Sequence, residues 1–338
     1  MDEFINLSID DKKFVIEETA LKYKLTPQII EKDFWISYIL KFLFNESKYK
    51  NYLTFKGGTS LSKVYDVIFR LSEDIDLILD WTILGVENNT PFMERSIRQQ
   101  NKYNVYINNK TKEFIQNCIY EELVDRFKEI DNVKIDILME KQIINIYYPR
   151  IYMDENQSIL PCIRLEIGTL AAWTPAFKQT IKPLISIIYN KENIEIQNIR
   201  TISIERTFYE KITILHREAN RPKTKQMPKR YARHYYDVYQ IYNSKFIDEI
   251  LKNIFLLKEV TFFKMKFYND NWANYGDILK FNIKLIPDEY RINELMDDYK
   301  SMEEMIMGNK PSFIEIINTL LCLENLLCKL LSEDLLKK

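Results

Sequence analysis

The stretch FKGGTSLSKVYDVIFRLSEDIDLIL, residues 55–79, decides the fold because its structural pattern changes repeatedly over a short distance. A short β-rich run ends at the pair Gly57-Gly58, which is typical of a tight turn. Ser60–Ile68 then has the apolar spacing of a helix, and Leu71–Asp80 alternates strictly between polar and apolar residues. The stretch therefore predicts a strand, a turn, a helix and a half-buried strand.

Two parts of this stretch are suited to phosphoryl transfer. Asp74 and Asp76 lie at i and i+2, so both project from one strand face and can reach divalent ions a few ångström apart. The adjacent glycines let the backbone approach a phosphate, and a following helix offers free N–H groups. Each signal is weak alone, but together they place a phosphate-holding turn beside a metal-holding strand. The candidate nucleotide-binding residues here are Gly57, Gly58, Thr59, Ser60 and Ser72.

A third carboxylate is expected from a neighbouring strand. Our first choice is Glu166 in CIRLEIGTL, where Arg164 and Gly168 share its strand face. Asp136 in VKIDILM is the alternative. A cross-strand ion pair is the structural explanation of Glu166 that competes with a catalytic role.

The composition limits the chemistry further. The chain has 338 residues, enough for about two domains, and its 46% hydrophobic and 29% charged residues exclude wholesale disorder. Lys and Arg number 48 against 49 Asp and Glu, so bulk charge does not drive binding to nucleic acid. Two histidines cannot build a His-rich metal site. Catalysis should therefore rest on carboxylates and on Lys or Arg.

The order of the patterns predicts an α+β fold. Helical spacing dominates residues 12–46, with Thr26 as an N-cap and Pro27 at the first helical position. Further along, the patterns predict a helix over Thr111–Ile130 and strands over Val133–Met139, Ile143–Ile151 and Cys162–Leu170. After residue 200 the sequence is helical almost to its end. We expect a mixed sheet with flanking helices in domain 1–200 and a mainly helical domain 201–338 that contributes to the active site.

With its GGTSL turn and RxSEDIDL strand, the opening stretch closely resembles the AbiEii/AbiGii nucleotidyltransferase toxins, which belong to the DNA polymerase β-like nucleotidyltransferase superfamily. The resemblance runs nearly from end to end and includes EKDFW (31–35), RLEIG (164–168), ERTFYEKITILHREA (205–219), RHYYDVYQIY (233–242) and the ending MDDYKSMEEMIMGNKPSFIEII (296–317). It implies a nucleotidyltransferase fold of the type predicted above.

The resemblance also implies a function. It assigns Lys211 to the nucleotide triphosphate and Asp237 to the same active site. Asp74 and Asp76 would hold Mg²⁺ or Mn²⁺, and the enzyme would move a nucleoside monophosphate from an NTP to an acceptor hydroxyl, with the tRNA 3′ end as the expected acceptor. The protein would be the toxin of a toxin–antitoxin or abortive infection system, with its antitoxin encoded nearby.

A cationic segment, HREANRPKTKQMPKRYARH (216–234), lies between these two residues in sequence. Cations of this kind can contact an RNA backbone, although such a run is also typical of a solvated, mobile loop. The candidate RNA contacts are Arg217, Arg221, Lys223, Lys225, Lys229, Arg230 and Arg233.

Two other functions stay open: nucleotidylation of a protein side chain, and a nucleotide-binding regulatory module without catalysis.

The acidic N-terminus has no signal-peptide pattern and no stretch is long enough to span a membrane, so we expect a cytoplasmic protein. The sequence does not predict the base of the NTP, the oligomeric state, or whether the antitoxin binds directly.

Overall fold

A computed structural model describes residues 1–87, 89–153, 159–172, 174–190 and 194–336. The chain divides into two compact units, the first formed by Met1–Val64 and Leu71–Ile202 and the second by Tyr65–Arg70 and Ser203–Lys338. In sequence, Tyr65–Arg70 separates the glycine turn from the aspartate strand. The stretch that decides the fold therefore belongs to both units.

The first unit contains a seven-stranded mixed sheet. Its strands are β1 (Leu53–Lys56), β2 (Asp74–Leu79), β3 (Lys134–Leu138), β4 (Ile143–Tyr147), β5 (Ile163–Gly168), β6 (Ala176–Ile181) and β7 (Ile196–Ile202). Their order is β3-β4-β5-β2-β1-β7-β6. The pairs β2–β5 and β1–β7 are parallel, and the other neighbouring pairs are antiparallel.

Six α-helices belong to the described part of this unit: α1 (Asp2–Ile5), α2 (Ile9–Tyr23), α3 (Pro27–Lys41), α4 (Gly57–Lys63), α5 (Ile97–Phe114) and α6 (Glu121–Phe127). Thr26 precedes α3 and Pro27 is its first residue, as predicted. The helix predicted from Thr111 begins earlier, at Ile97, because Ser96 and Gln99 form a reciprocal capping box there.

The alternation predicted around β2 determines which face is buried. Ile75 and Leu77 are fully buried, whereas Asp74 and Asp76, which alternate with them, are half-buried. Side chains alternate across a strand, so the apolar residues pack into the core and the two carboxylates share the opposite face. The same alternation recurs in β5, where Ile163, Leu165 and Ile167 are buried.

The second unit is helical in its described residues. It contains α7 (Ile204–Ala219), α8 (Ala232–Tyr242), α9 (Ile247–Lys252), α10 (Phe255–Phe267), α11 (Tyr275–Ile278), α12 (Glu289–Met302) and α13 (Phe313–Leu336). The predicted α+β class, a mixed sheet with helices followed by a helical half, is confirmed. Over the described ranges, each helix is too short or too polar to cross a membrane.

Candidate active site

Strand pairing brings three predicted carboxylates to one face of the sheet. In the parallel pair β2–β5, Asp74 is opposite Arg164 and Asp76 is opposite Glu166. On the other side of β2, Lys56 of β1 is the register partner of Asp76. The acidic face of β2 is therefore flanked by two basic positions and by Glu166.

Arg164 neutralises part of this acidic face. Its Nε donates to Oδ1 of Asp74 at 2.8 Å and its Nη2 donates to Oδ2 at 3.0 Å, so the pair is bidentate. The same Nη2 donates to Oε1 of Glu166 at 3.0 Å. The bonds to Asp74, together with the negative charges of Asp74 and Glu166, raise the pKa of the guanidinium. The ion pair of Glu166 shown by these bonds is therefore within its own strand rather than across strands, and its partner Arg164 also binds Asp74 on β2.

The glycine turn lies directly against Asp76. Gly57 has a φ of +81°, a conformation that side-chain-bearing residues rarely adopt. A Cβ atom placed on it would lie 1.9 Å from Oδ2 of Asp76. Both the backbone conformation and the space at this position require glycine, because any larger residue would displace the carboxylate.

The hydroxyl groups of the turn are buried and already hydrogen-bonded. Thr59 Oγ1 donates to the main-chain carbonyl of Asp74 and lies 2.9 Å from the Ser72 hydroxyl. Ser60 Oγ donates to the Gly57 carbonyl at 2.8 Å. Thr59 and Ser60 thus tie the start of α4 to β2 and to the turn, and the half-exposed surface here belongs to Gly57 and Gly58.

The alternative third carboxylate shares this face of the sheet but lies at its edge, three strands away from β2. Asp136 is on β3, which is separated from β2 by β4 and β5. At about 4.8 Å between neighbouring strands, that is a separation of roughly 14 Å. Asp136 is instead 3.5 Å from Lys134 on its own strand. Of the two candidates, Glu166 is the one that the sheet brings beside Asp76.

The chemistry of these residues fits a divalent ion. Carboxylate oxygens are the ligands that Mg²⁺ and Mn²⁺ prefer, and Asp74 and Asp76 supply them from one face of β2. Within the described residues, no three His, Cys, Asp or Glu side chains are grouped closely enough to hold a metal ion. An ion that bound Asp74 would compete with Arg164 for the same two oxygens.

Lys211 and Asp237 contact each other in the second unit. Lys211 Nζ donates to Oδ2 of Asp237 at 2.8 Å, and Arg70 binds the same carboxylate through Nε at 2.7 Å and Nη2 at 2.8 Å. Asp237 is fully buried and both cations are nearly so. Burial alone would raise the pKa of the Asp237 carboxyl, but the two cations bring it below its ordinary value.

Burial and neighbouring charges shift the pKa values of Lys211 and His234 in this cluster. Burial lowers the pKa of the Lys211 amine, although Asp237 acts in the opposite direction. The pKa of His234 lies well below its ordinary value because the ring is buried and because Lys211 and Arg233 are close. A buried cluster of this kind is typical of a functional site, and it also occurs as a structural ion-pair network.

The cationic segment is only partly available to a ligand. Arg217 binds Asp270 and Arg221 binds Glu218, and both guanidinium groups lie over the ring of Trp272 at 4.6 and 4.8 Å. Arg233 is half-buried at the start of α8. The remaining candidates are exposed: Lys223, Lys225, Lys229 and Arg230. Arg217 and Arg221 therefore hold the segment onto its own unit.

The sequence alone does not reveal the roles of Arg70 and Lys56, or that Arg164 binds Asp74. The RxSEDIDL pattern contains Arg70 but does not reveal that Asp237, far away in sequence, accepts its hydrogen bonds. Lys56 and Arg164 become partners of the acidic face only through strand register. The one available signal was that Arg164 shares a strand face with Glu166.

The chain is similar to a known protein family. The family model described as "Nucleotidyl transferase AbiEii toxin, Type IV TA system" matches residues 40–319. Among solved structures, the nucleotidyltransferase toxin MenT4 from Mycobacterium tuberculosis H37Rv is similar at 15% identity and a TM-score of 0.45, over 76% of this chain and 70% of that one. No curated protein sequence matches the chain.

Proposed function

The chain belongs to the AbiEii family of nucleotidyltransferase toxins, and from this we propose that it moves a nucleoside monophosphate from an NTP to an RNA hydroxyl, with the tRNA 3′ end as acceptor. Membership makes it a nucleotidyltransferase toxin of a type IV toxin–antitoxin system, with an NTP substrate and an antitoxin partner. The observation that carries the proposal is the grouping of Asp74, Asp76 and Glu166 on one face of the sheet beside Gly57. We place the reaction in the cytoplasm, where NTPs and tRNA are found.

In the proposed reaction, the acceptor hydroxyl attacks the α-phosphorus of the NTP. A new oxygen–phosphorus bond forms, the bond between the α- and β-phosphates breaks, and pyrophosphate leaves. Asp74 and Asp76 would hold Mg²⁺ or Mn²⁺, which supplies charge neutralisation to the phosphates when bound. Glu166, whose side chain is 39% exposed, would accept the proton of the attacking hydroxyl.

Other residues of the first unit shape this site. Arg164 orients the carboxylates of Asp74 and Glu166 through its three hydrogen bonds. The backbone of Gly57 and Gly58 would lie against the phosphates, supported by the buried hydroxyls of Thr59 and Ser60 and by the half-buried Ser72. The family resemblance assigns Lys211 to the triphosphate. Because both oxygens of Asp237 are already bonded to cations, we propose that Asp237 holds Lys211 in place.

The decisive experiment incubates the purified chain with each α-phosphate-labelled NTP, Mg²⁺, and either total RNA or total cell protein. We expect label in RNA of tRNA size with at least one NTP, and we expect EDTA to abolish it. Label in protein alone would replace the RNA proposal with protein nucleotidylation. If no NTP labels any macromolecule, the transferase proposal is wrong and a non-catalytic nucleotide-binding module becomes the better explanation.

The exposed lysines of the cationic segment are expected to bind the RNA acceptor. Changing Lys223, Lys225 and Lys229 together to Ala should raise the KM for RNA about tenfold or more, because each lost phosphate contact weakens binding. It should also reduce the slope of log affinity against log salt by about 2. The KM for the NTP and the kcat should change less than about twofold. Binding titrations and initial rates at several salt concentrations measure these effects.

A matched control changes three exposed lysines elsewhere on the same unit: Lys252, Lys280 and Lys300. It removes the same number of charges, so bulk electrostatics are equal in the two variants. Equal loss of RNA affinity in both would show that the segment has no specific role.

A further inference from the structure

Lys32 is a fully buried cation of helix α3. Its Nζ lies 2.5 Å from Oε2 of Glu73, and the exposed fractions of the two side chains are 0% and 3%. The same Nζ donates to the carbonyl of Leu160 at 2.8 Å, and the Leu160 N–H donates to Oε2 of Glu73 at 2.6 Å. Lys32, Glu73 and Leu160 therefore form a closed ring of hydrogen bonds, which we call the Lys32 ring.

The Lys32 ring fixes the start of both strands that carry the carboxylates. Glu73 is followed directly by Asp74, the first residue of β2, and Leu160 stands three residues before β5 begins at Ile163. Because β2 and β5 are parallel, their starts lie at the same edge of the sheet. One buried ammonium group therefore fixes the residues that precede β2 and β5, the strands that carry Asp74, Asp76 and Glu166.

The two neighbours of Lys32 bind other segments. Glu31 accepts the N–H groups of Ile151 and Tyr152, at 2.7 and 3.2 Å. Asp33 binds the Lys63 ammonium at the end of α4 and accepts the Leu184 N–H at 2.7 Å. Of these three consecutive residues, Lys32 is the one whose partners lie at the starts of β2 and β5.

Stability alone is a weak reason for a charged pair at this position. Removing two charges from water is costly, and replacing a buried ion pair by apolar residues of similar size is often neutral or stabilising. Burial also lowers the pKa of the Lys32 amine, while Glu73 acts in the opposite direction. What an apolar pair cannot reproduce is the set of directional bonds to Glu73 and to the Leu160 carbonyl.

We propose that Lys32 is a positioning residue for nucleotide transfer, which sets the orientation of Asp74 and Asp76 through Glu73 and that of β5 through Leu160. The proposal rests on the assignment of these aspartates as the catalytic carboxylates. Its consequence is that the ring affects catalysis more than it affects folding, because a small rotation at the start of β2 moves both carboxylates.

The experiment compares the wild-type chain with the double variant Lys32→Met/Glu73→Leu and with the control Glu31→Gln. The double variant should melt within about 4 °C of wild type, since an apolar pair replaces the charges. Its kcat should fall at least about tenfold while the KM for the NTP changes less than about twofold. Its Mn²⁺ affinity, measured by electron paramagnetic resonance without substrate, should fall several-fold.

Glu31→Gln is the control because it leaves every bond of the Lys32 ring in place, keeps the side-chain volume and retains one oxygen as an acceptor for the Ile151 N–H. This control should keep the wild-type kcat and Mn²⁺ affinity. A double variant with wild-type kcat and Mn²⁺ affinity would show that the ring is only structural and would overturn the proposal.

If the double variant fails to fold, Glu73→Gln tests the proposal instead. The amide keeps the side-chain volume and one hydrogen-bond acceptor but removes the ion pair with Lys32. A selective loss of kcat supports the proposal, and a kcat within about twofold of wild type overturns it. Failure of the proposed function is distinguishable, because it would appear in the wild-type chain as absent transfer.

Discussion

Replacing Asp76 by Asn should reduce nucleotide transfer by about 10²- to 10³-fold while changing the melting temperature by no more than about 2 °C. The substitution keeps the shape of a side chain that lies against Gly57, so packing at the turn is preserved. It removes the negative charge that would hold the divalent ion opposite Glu166. Initial rates of label incorporation and a thermal melt measure the two effects.

The matched control for this variant is Asp136→Asn. Asp136 is also an aspartate on a strand of the same sheet, but it lies on the edge strand β3. We expect the rate of this variant to stay within about twofold of wild type. Glu166→Gln, by contrast, should lower the rate, as Asp76→Asn does. A wild-type rate for Asp76→Asn would show that Asp76 on β2 is not catalytic. A loss of rate specific to Asp136→Asn would make Asp136, rather than Glu166, the third carboxylate.

How much of this site the sequence predicts depends on the range of each interaction. The alternation in Leu71–Asp80 is local, and it correctly places Asp74 and Asp76 on the face opposite the buried Ile75 and Leu77. Register is not local. That Glu166 faces Asp76 follows from pairing between strands about 90 residues apart, and no pattern within either strand encodes it.

The orientation of small polar side chains is a second limit. Thr59 and Ser60 follow two glycines at a helix start, which suggests hydroxyls that face a phosphate. In the structure these hydroxyls bond to the carbonyls of Asp74 and Gly57 instead. A hydroxyl can donate to a backbone carbonyl as well as to a ligand. Residue type and spacing therefore do not distinguish a phosphate-binding hydroxyl from one that bonds to the backbone.

The sequence does not predict β6, β7 or the start of α5, and the physical reasons differ. The patterns over residues 176–202 do not indicate strands, because β6 is an edge strand with several exposed residues and β7 lacks strict alternation. The start of α5 was missed in a polar stretch with little apolar periodicity, although the spacing of Ser96 and Gln99 is a helix-start signal. A helix with weak amphipathicity is difficult to predict from apolar spacing, but its capping residues still indicate where it begins.

Replacing Asp237 by Asn should have the largest effect on stability, with a loss of about 3–5 kcal/mol at pH 7. The carboxylate is fully buried and is bonded to Arg70 and Lys211, so the amide would leave both cations without their shared anion. A loss of that size corresponds to a fall of roughly 6–20 °C in the melting temperature of the second unit. Asp297→Asn is the control, because that side chain is 80% exposed and 3.4 Å from Lys300; it should cost less than about 0.5 kcal/mol.

The pH dependence of this variant identifies the cause of the loss. Neighbouring cations depress the folded-state pKa of Asp237, so its contribution to stability is complete above the unfolded value of about 3.9. The contribution disappears as the pH falls through the depressed pKa, because wild-type Asp237 then becomes neutral like the amide. The gap in unfolding free energy between wild type and Asp237→Asn should therefore be constant from about pH 5 to 7 and shrink below about pH 4. A gap that persists unchanged into strong acid would mean that shape, rather than the charge between Arg70 and Lys211, is what the helical unit requires of this residue.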